Sequence, residues 1–295
     1  MAGAVARQIV GKADARAKDQ AENRRKRRHV GFQSNQGHLL MANVIVFPDG
    51  GYRFIKGVFQ YSAGVAAEPG FEMERVRFRQ LVPLDLGFEA IRAHLERMGR
   101  PLAAFCACEL RSPAPFTEAG FLAFNREYIK PLERWNIFRS GVNPIARSNV
   151  CPNFDGPSVP SFYAFSHTVP AAAPQARGTG AAGFVISGSG EAQEGEGSYR
   201  ERTIRLGDRS PEGLREKVRF VLAEMERRMT ELGLGWSDVT DTHAYTVYDI
   251  HPLLQDEFAA RGAMRRGISW HLARPPVVDL DFEMDVRGIA RELVI

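Results

Sequence analysis

The sequence predicts an α+β protein of two tandem domains, each a mixed sheet with two helices on one face. Three observations lead there. The chain has 295 residues, about twice a common domain length. Residues 171–182 are rich in Pro, Ala and Gly and lack apolar periodicity, as a linker does. On either side the elements follow the same order: strand, strand, long helix, strand, short helix, strand, strand.

The expected domains span residues 41–170 and 183–295. Residues 1–40 carry little apolar patterning and are expected to form a basic, disordered tail. Met41 directly precedes the first strand-like run and offers an alternative start. Much of the net charge of +4 lies in that tail, densest at Arg24-Arg25-Lys26-Arg27-Arg28. The remaining chain is close to neutral and shows no basic stripe on a folded surface, so nucleic acid is not an expected partner. No apolar run approaches the ~18 residues of a membrane span. The first residues lack the apolar segment of a secretory signal. Three cysteines cannot all pair, and Cys106 and Cys108, two apart on one expected strand, should point the same way as reduced, packed thiols. A cytoplasmic location is expected.

In the first domain, residues 43–47 are a short apolar strand and Asp49-Gly50-Gly51 is a turn. Residues 52–61 read as a strand with Gly57 in its middle, where glycine marks a close backbone approach to a ligand or another chain. Residues 88–98 form an amphipathic helix with Phe88, Ile91, Leu95 and Met98 on one side, ended by Gly99-Arg100-Pro101. A strand over 103–110, a helix over 121–135, a strand beginning within 143–151 and a strand over 161–169 complete the unit. In the second domain, residues 183–188 are a strand. Ser210 caps a long helix with Pro211 in its first turn. Leu214, Val218, Val221, Leu222, Met225 and Met229 form its buried stripe, and Gly233-Leu234-Gly235 stops it. Strands over 239–247, 268–272 and 277–286 surround a short helix over 252–261. A sheet covered on one face only must bury the other, so sheets should associate within the chain or between chains. A homo-oligomer is expected.

Arg147 is the residue on which a functional reading turns. It opens a strand between a proline turn and a short apolar run, and its planar guanidinium can grip a carboxylate with two parallel charge-assisted hydrogen bonds. A small-molecule carboxylate is therefore the expected ligand. Cys106, Cys108 and Cys151 lack the spacing and the fourth ligand of a zinc site. His243, His251 and His271 show no ligand spacing on a single helix. No metal is expected.

Pro144-Ile145-Ala146-Arg147-Ser148 resembles a Pro-Ala-Arg-Ser segment of the RidA/YjgF family of enamine and imine deaminases, whose fold is like that of the trimeric chorismate mutase. Phe121-Leu122-Ala123-Phe124-Asn125-Arg126-Glu127-Tyr128 resembles the family's helix with an asparagine near the active site. Gly57 falls where the family has a glycine whose backbone faces the ligand. More narrowly, Gly50 to Tyr61, Cys106 to Phe116 and Phe282 to Gly288 resemble the two-domain deaminases of 2-aminomuconate and 2-amino-5-chloromuconate, enzymes of aminophenol and nitroaromatic breakdown. The resemblance implies tandem RidA-like domains, trimer-like packing of domains, and hydrolysis of an enamine or imine dicarboxylate without a cofactor.

It also implies roles. Arg147 and Ser148 would hold the substrate carboxylate, and Asn125 the amine or water. A second carboxylate needs a second cation, for which Arg53, Lys56 and Arg111 are candidates. The family's closing strand carries an acid that positions water. The matching strand of the first half has none, whereas the second half has Glu283 and Asp285, with Asp281 as a rival. Glu109 either supplies the missing acid or pairs with Arg111. The second half lacks an arginine where Arg147 lies. Either the two halves share one composite site, or the second half is a structural partner. The competing functions are a broad deaminase of 2-aminoacrylate-type intermediates and a non-catalytic module binding RNA through the tail.

Overall fold

The computed structural model describes residues 43–172, 183–195 and 197–295. The expected tail, and the expected linker beyond residue 172, lie outside the described residues. The strands are β1 (Val44–Phe47), β2 (Tyr52–Ile55), β3 (Gly64–Ala67), β4 (Phe71–Pro83), β5 (Phe105–Arg111), β6 (Ala146–Pro152), β7 (Ser161–Pro170), β8 (Phe184–Gly190), β9 (Asp241–Tyr245), β10 (Ser269–His271), β11 (Ala273–Arg274), β12 (Glu283–Gly288) and β13 (Arg291–Val294). The α-helices are α1 (Leu84–Arg97), α2 (Glu118–Arg134), the single-turn α3 (Tyr199–Arg202) and α4 (Pro211–Glu231).

Two mixed sheets result. One has the order β1-β2-β3-β8-β12-β9-β10, the other β11-β6-β5-β7-β4-β13. Strands do not sort by half. β3 pairs antiparallel with β8, so the first three strands extend the sheet built mainly by the second half. In return β11 pairs with β6, and the C-terminal β13 runs parallel to β4. Residues 44–295 form one compact unit.

Each sheet has one face under helices. Phe88, Ile91 and Leu95 of α1 and Phe121, Phe124, Tyr128 and Leu132 of α2 bury against Cys108, Leu110, Phe162 and Phe165. On the other sheet the expected stripe of α4 packs on Ile186, Ala244, Phe282, Met284 and Val286. Alternation along each strand then sends the intervening side chains to the opposite faces. Those faces meet, and Tyr52, Val65, Cys106, Ala146 and Val185 form a cluster drawn from both sheets.

Several expectations change. Helix α1 starts at Leu84, and Met98 lies beyond its last turn with 46% of its surface exposed. Helix α2 starts at Glu118 because the Thr117 side chain accepts a hydrogen bond from the Gly120 N–H. β2 ends at Ile55, so Gly57 is not inside a strand. A Cβ there would lie 2.7 Å from the Tyr61 carbonyl and 2.8 Å from the Ala63 nitrogen. The close approach is to the chain's own returning loop. Residues 251–261 wind as 3-10 and π turns instead of an α-helix. The expected strand over 277–286 begins only at residue 283 and runs past its expected end, as Glu283–Gly288. A register shift in β5 between Phe105 and Ala107 sends Cys106 to the inter-sheet cluster and Cys108 under the helices, so the two do not point the same way. Among the described residues no helix is long and apolar enough to cross a membrane.

Candidate active site

Arg147 projects from β6 to the helix side and is 2% exposed. Its Nη2 donates to Asn125 Oδ1 on α2 at 2.8 Å. Its guanidinium carbon lies 4.6 Å from the Tyr128 ring centre and 5.1 Å from that of Tyr61, with Phe121 and Phe124 also within 6 Å. An arginine ringed by aromatic faces is held by cation–π attraction without neutralising its charge. Its Nη1 is buried and has no hydrogen-bond partner among the described residues. The Arg147 N–H donates to Ser187 Oγ on β8 at 3.0 Å, and Ser187 Oγ donates to the Ser62 carbonyl at 2.6 Å. The arginine strand is thereby fastened to the opposite sheet.

Ser148, one residue on, points the other way. Its hydroxyl donates to Asp285 Oδ2 at 2.6 Å, and Tyr245 donates to the same oxygen at 2.8 Å. Arg287 completes the clamp on Asp285 and also bonds Glu109. Glu109 in turn takes two hydrogen bonds from Arg75, at 2.7 and 2.8 Å. Burial opposes charge on Asp285, but Arg287 and His243 outweigh it and hold the carboxyl below its usual range. Burial likewise opposes charge on Glu109, and Arg287 and Arg75 hold it well below. Both are ionised, saturated carboxylates.

Glu283, two residues before Asp285 on β12, has the opposite environment. It is 4% exposed, and its carboxyl makes no hydrogen bond or ion pair among the described residues. Burial pushes its carboxyl well above the usual range and the Asp285 charge adds to this, while Arg147 pulls the other way. It sits over Gly188, where a Cβ would collide with Glu283 Oε1 and come within 3.3 Å of the Ser148 Cα. Glycine leaves the carboxyl its room. One strand thus presents a carboxyl that resists ionisation beside one held ionised, a pairing that divides acid from base roles.

Tyr61 and Phe121, two of the rings packed on Arg147, line a cavity of about 190 Å³ together with Tyr199, Leu280, Glu194 and Arg228. Tyr61 and Tyr199 are raised first by burial, and both feel the charges of Arg147 and Glu283.

Arg147, bonded to Asn125, stands behind the Tyr61 and Phe121 rings of this cavity, and Glu283 feels its charge; none of the three is part of the cavity lining itself. Ser148 and Asp285 lie behind it, bonded to each other across the sheets. Glu109 is bound by Arg75 and Arg287, not by Arg111, and is no free acid. The competing arginine comes from β4, a strand whose dense Glu and Arg content hid it from a periodicity reading. Asp281 is likewise committed, to Lys217 at 2.5 Å and Arg209 at 3.2 Å. Arg111 is 6% exposed, stacks 4.4 Å from the Tyr163 ring centre, and has no carboxylate partner among the described residues. Arg53 bonds Glu68 at 3.1 Å and the Leu232 carbonyl at 3.2 Å, and Lys56 is exposed, so neither reaches the site. Gly57 is used by its own loop. Burial pushes the Cys108 and Cys151 thiols up to about 12.

Sequence reasoning missed Tyr61, Tyr199, Glu194 and Arg228. For Arg228 a signal existed. It falls within the helical period of the buried stripe, three residues after Met225 and beside Met229.

The family described as 2-aminomuconate deaminase CnbZ matches residues 44–293. A 2-amino-5-chloromuconate deaminase of Comamonas testosteroni is 52% identical over 255 residues, which cover 86% of this chain and 100% of the relative. Among solved structures, a chorismatase aligns over 79% of each chain at 12% identity with a TM-score of 0.47. The YjgF gene product of E. coli aligns over 40% of this chain and 94% of its own at 18% identity, with a TM-score of 0.27.

Proposed function

This chain belongs to the 2-aminomuconate deaminase CnbZ family, and on that premise we propose that it hydrolyses an enamine dicarboxylate such as 2-aminomuconate or 2-amino-5-chloromuconate. The product is the 2-hydroxy or oxo acid, with ammonia released, within the breakdown of aromatic compounds. The observation that carries the reading is Arg147, with one donor nitrogen unfilled, within electrostatic reach of Glu283, whose carboxyl resists ionisation, beside the cavity that Tyr61 and Phe121 line.

The steps follow from the groups present. Arg147 takes the carboxylate next to the amine-bearing carbon, and Asn125 fixes the angle of its guanidinium. Glu283 gives its proton to the distal enamine carbon, so the carbon–carbon double bond becomes an iminium. As a carboxylate, Glu283 then takes a proton from water as that water adds to the iminium carbon. Glu283 then passes that proton to the amine nitrogen, the carbon–nitrogen bond breaks and ammonia leaves, and the hydroxyl proton returns to Glu283 as the carbonyl forms. Water addition to an iminium requires positioning and proton transfer alone, and we assign no metal or organic cofactor a role. Asp285 stays charged throughout and holds Ser148 and Tyr245. We read the halves as two RidA-like units that have exchanged edge strands and built one composite site.

The test is ammonia release from freshly generated 2-aminomuconate by the wild type, Arg147→Ala and Glu283→Gln. Loss in both variants supports the reading. Wild-type turnover of 2-aminoacrylate-type imines at higher rates than 2-aminomuconate would shift it to the broad-range deaminase.

A further inference from the structure

A dicarboxylate leaves one carboxylate unaccounted for, and the cavity lined by Tyr61 and Phe121, the rings packed on Arg147, also has a buried arginine in its wall. Arg228 projects from α4 and is 2% exposed. Its Nη1 donates to the Ser187 carbonyl at 3.1 Å, and the Arg147 N–H donates to the hydroxyl of the same Ser187 at 3.0 Å. The Arg228 guanidinium and the Arg147 backbone therefore meet at one residue of β8, and Tyr61 feels the charge of both arginines. Arg228 Nη2 donates to Glu194 Oε1 at 2.8 Å and lies 3.4 Å from Ser189 Oγ, while its Nε is buried without a hydrogen-bond partner among the described residues.

Burying a guanidinium at a cavity is costly unless an anion meets it. Two anions are present: Glu224, whose Oε2 lies 3.8 Å from Arg228 Nε on the same helix, and the hydrogen-bonded Glu194, whose side chain is 49% exposed and is the freer of the two. Its one further charged neighbour is Arg227, at 3.8 Å. A ligand carboxylate arriving at Arg228 exchanges one charge-assisted hydrogen bond for another and releases Glu194 to water. No charge is left buried and unpaired.

We propose that Arg228 is the second carboxylate anchor of the cavity, holding the far carboxylate of a dicarboxylate substrate, and that Glu194 is the side chain this carboxylate displaces. The inference rests on the function proposed above and names what makes that site select dicarboxylates. Arg111, the other buried arginine without a carboxylate partner among the described residues, is stacked between Tyr163 and Tyr245, at 4.4 and 5.6 Å from their ring centres, and does not line this cavity.

Calorimetric titration separates the anchors without requiring turnover. The probes are cis,cis-muconate, a dicarboxylate without the amine, and sorbate, a monocarboxylate diene of the same carbon count. Arg228→Gln should weaken muconate about tenfold to a hundredfold, the worth of a charge-assisted hydrogen bond, and leave sorbate within about twofold. Glu194→Gln, a change at a half-exposed side chain that preserves folding, should tighten muconate severalfold. The proposal is overturned if Arg228→Gln weakens both probes equally, if Glu194→Gln weakens muconate, or if Arg111→Gln has the effect expected of Arg228→Gln. It is also overturned if the wild type binds neither probe. Muconate binding that depends on Arg228 in a protein that releases no ammonia from 2-aminomuconate would refute the deaminase reading and leave the anchor standing.

Discussion

Replacing Arg147 by lysine keeps the positive charge and removes the fork. The guanidinium spends Nη2 on Asn125 at 2.8 Å and has Nη1 unfilled, so it can hold the helix and receive a carboxylate at once. A single ammonium cannot do both in that geometry. One hydrogen bond to a charged group, worth about 1.5–3 kcal/mol, is lost. That corresponds to a fall in kcat/KM of roughly 10- to 150-fold on 2-aminomuconate. A structural cost accompanies it, because Asn125 Oδ1 loses its donor in a buried place and the stacking on Tyr128 and Tyr61 weakens. Together these should lower stability by about 1–3 kcal/mol. The assay is steady-state ammonia release beside a thermal melt followed by circular dichroism. A folded lysine variant with wild-type kcat/KM would refute the carboxylate role of Arg147.

Glu283→Gln should lower kcat by about 10²- to 10⁴-fold, the usual worth of a general acid–base, in the same ammonia assay. It should also stabilise the fold at neutral pH. A carboxyl whose pKa is raised on folding makes stability fall as pH rises above its unfolded value near 4.5, because only the unfolded chain gives up the proton. Melts of variant and wild type should therefore differ at pH 7 and converge below about pH 4. Gly188→Ala forces a methyl group against Glu283 and the Ser148 backbone; it should cost about 1–3 kcal/mol in a denaturant titration and reduce turnover with it. His167, fully buried with Nε2 3.2 Å from His94 Nε2, is lowered from 6.5 to about 4, first by burial and then by His94. Between these values the unfolded chain binds a proton that the folded chain refuses, so stability should drop as pH falls through that window. About 3 kcal/mol of that loss should be absent from His167→Asn when both proteins are titrated with urea at pH 7 and pH 4.

The sequence made the helices legible because apolar spacing is local. The stripe from Leu214 to Met229 and the Phe88, Ile91 and Leu95 face of α1 follow from period alone. Charged strands were not legible. β4 carries Glu72, Glu74, Arg75 and Arg77, which read as surface, yet Glu74 and Arg75 are buried through ion pairs to distant elements. The pairing of β3 with β8 and of β13 with β4 joins residues far apart in the chain, which no local pattern encodes. At the site, Arg147 and Asn125 were found through short motifs, and Glu283 through its place in the closing strand. Which acid resists ionisation depends on partners. Asp285 collects Arg287, Ser148 and Tyr245, whereas Glu283 collects none, and only the packing of both sheets decides that. Glu109 and Arg111 lie two apart on β5 and do not pair, because Arg75 and Arg287 arrive from elsewhere.

The central claim is that Arg147 of the first half and Glu283 of the second serve one bound molecule. A crystal structure with cis,cis-muconate tests it most directly. One carboxylate should lie on the Arg147 guanidinium, filling Nη1, with the adjoining carbons within hydrogen-bond reach of the Glu283 carboxyl. Muconate seated away from both, for instance against Arg111 between Tyr163 and Tyr245, would contradict it.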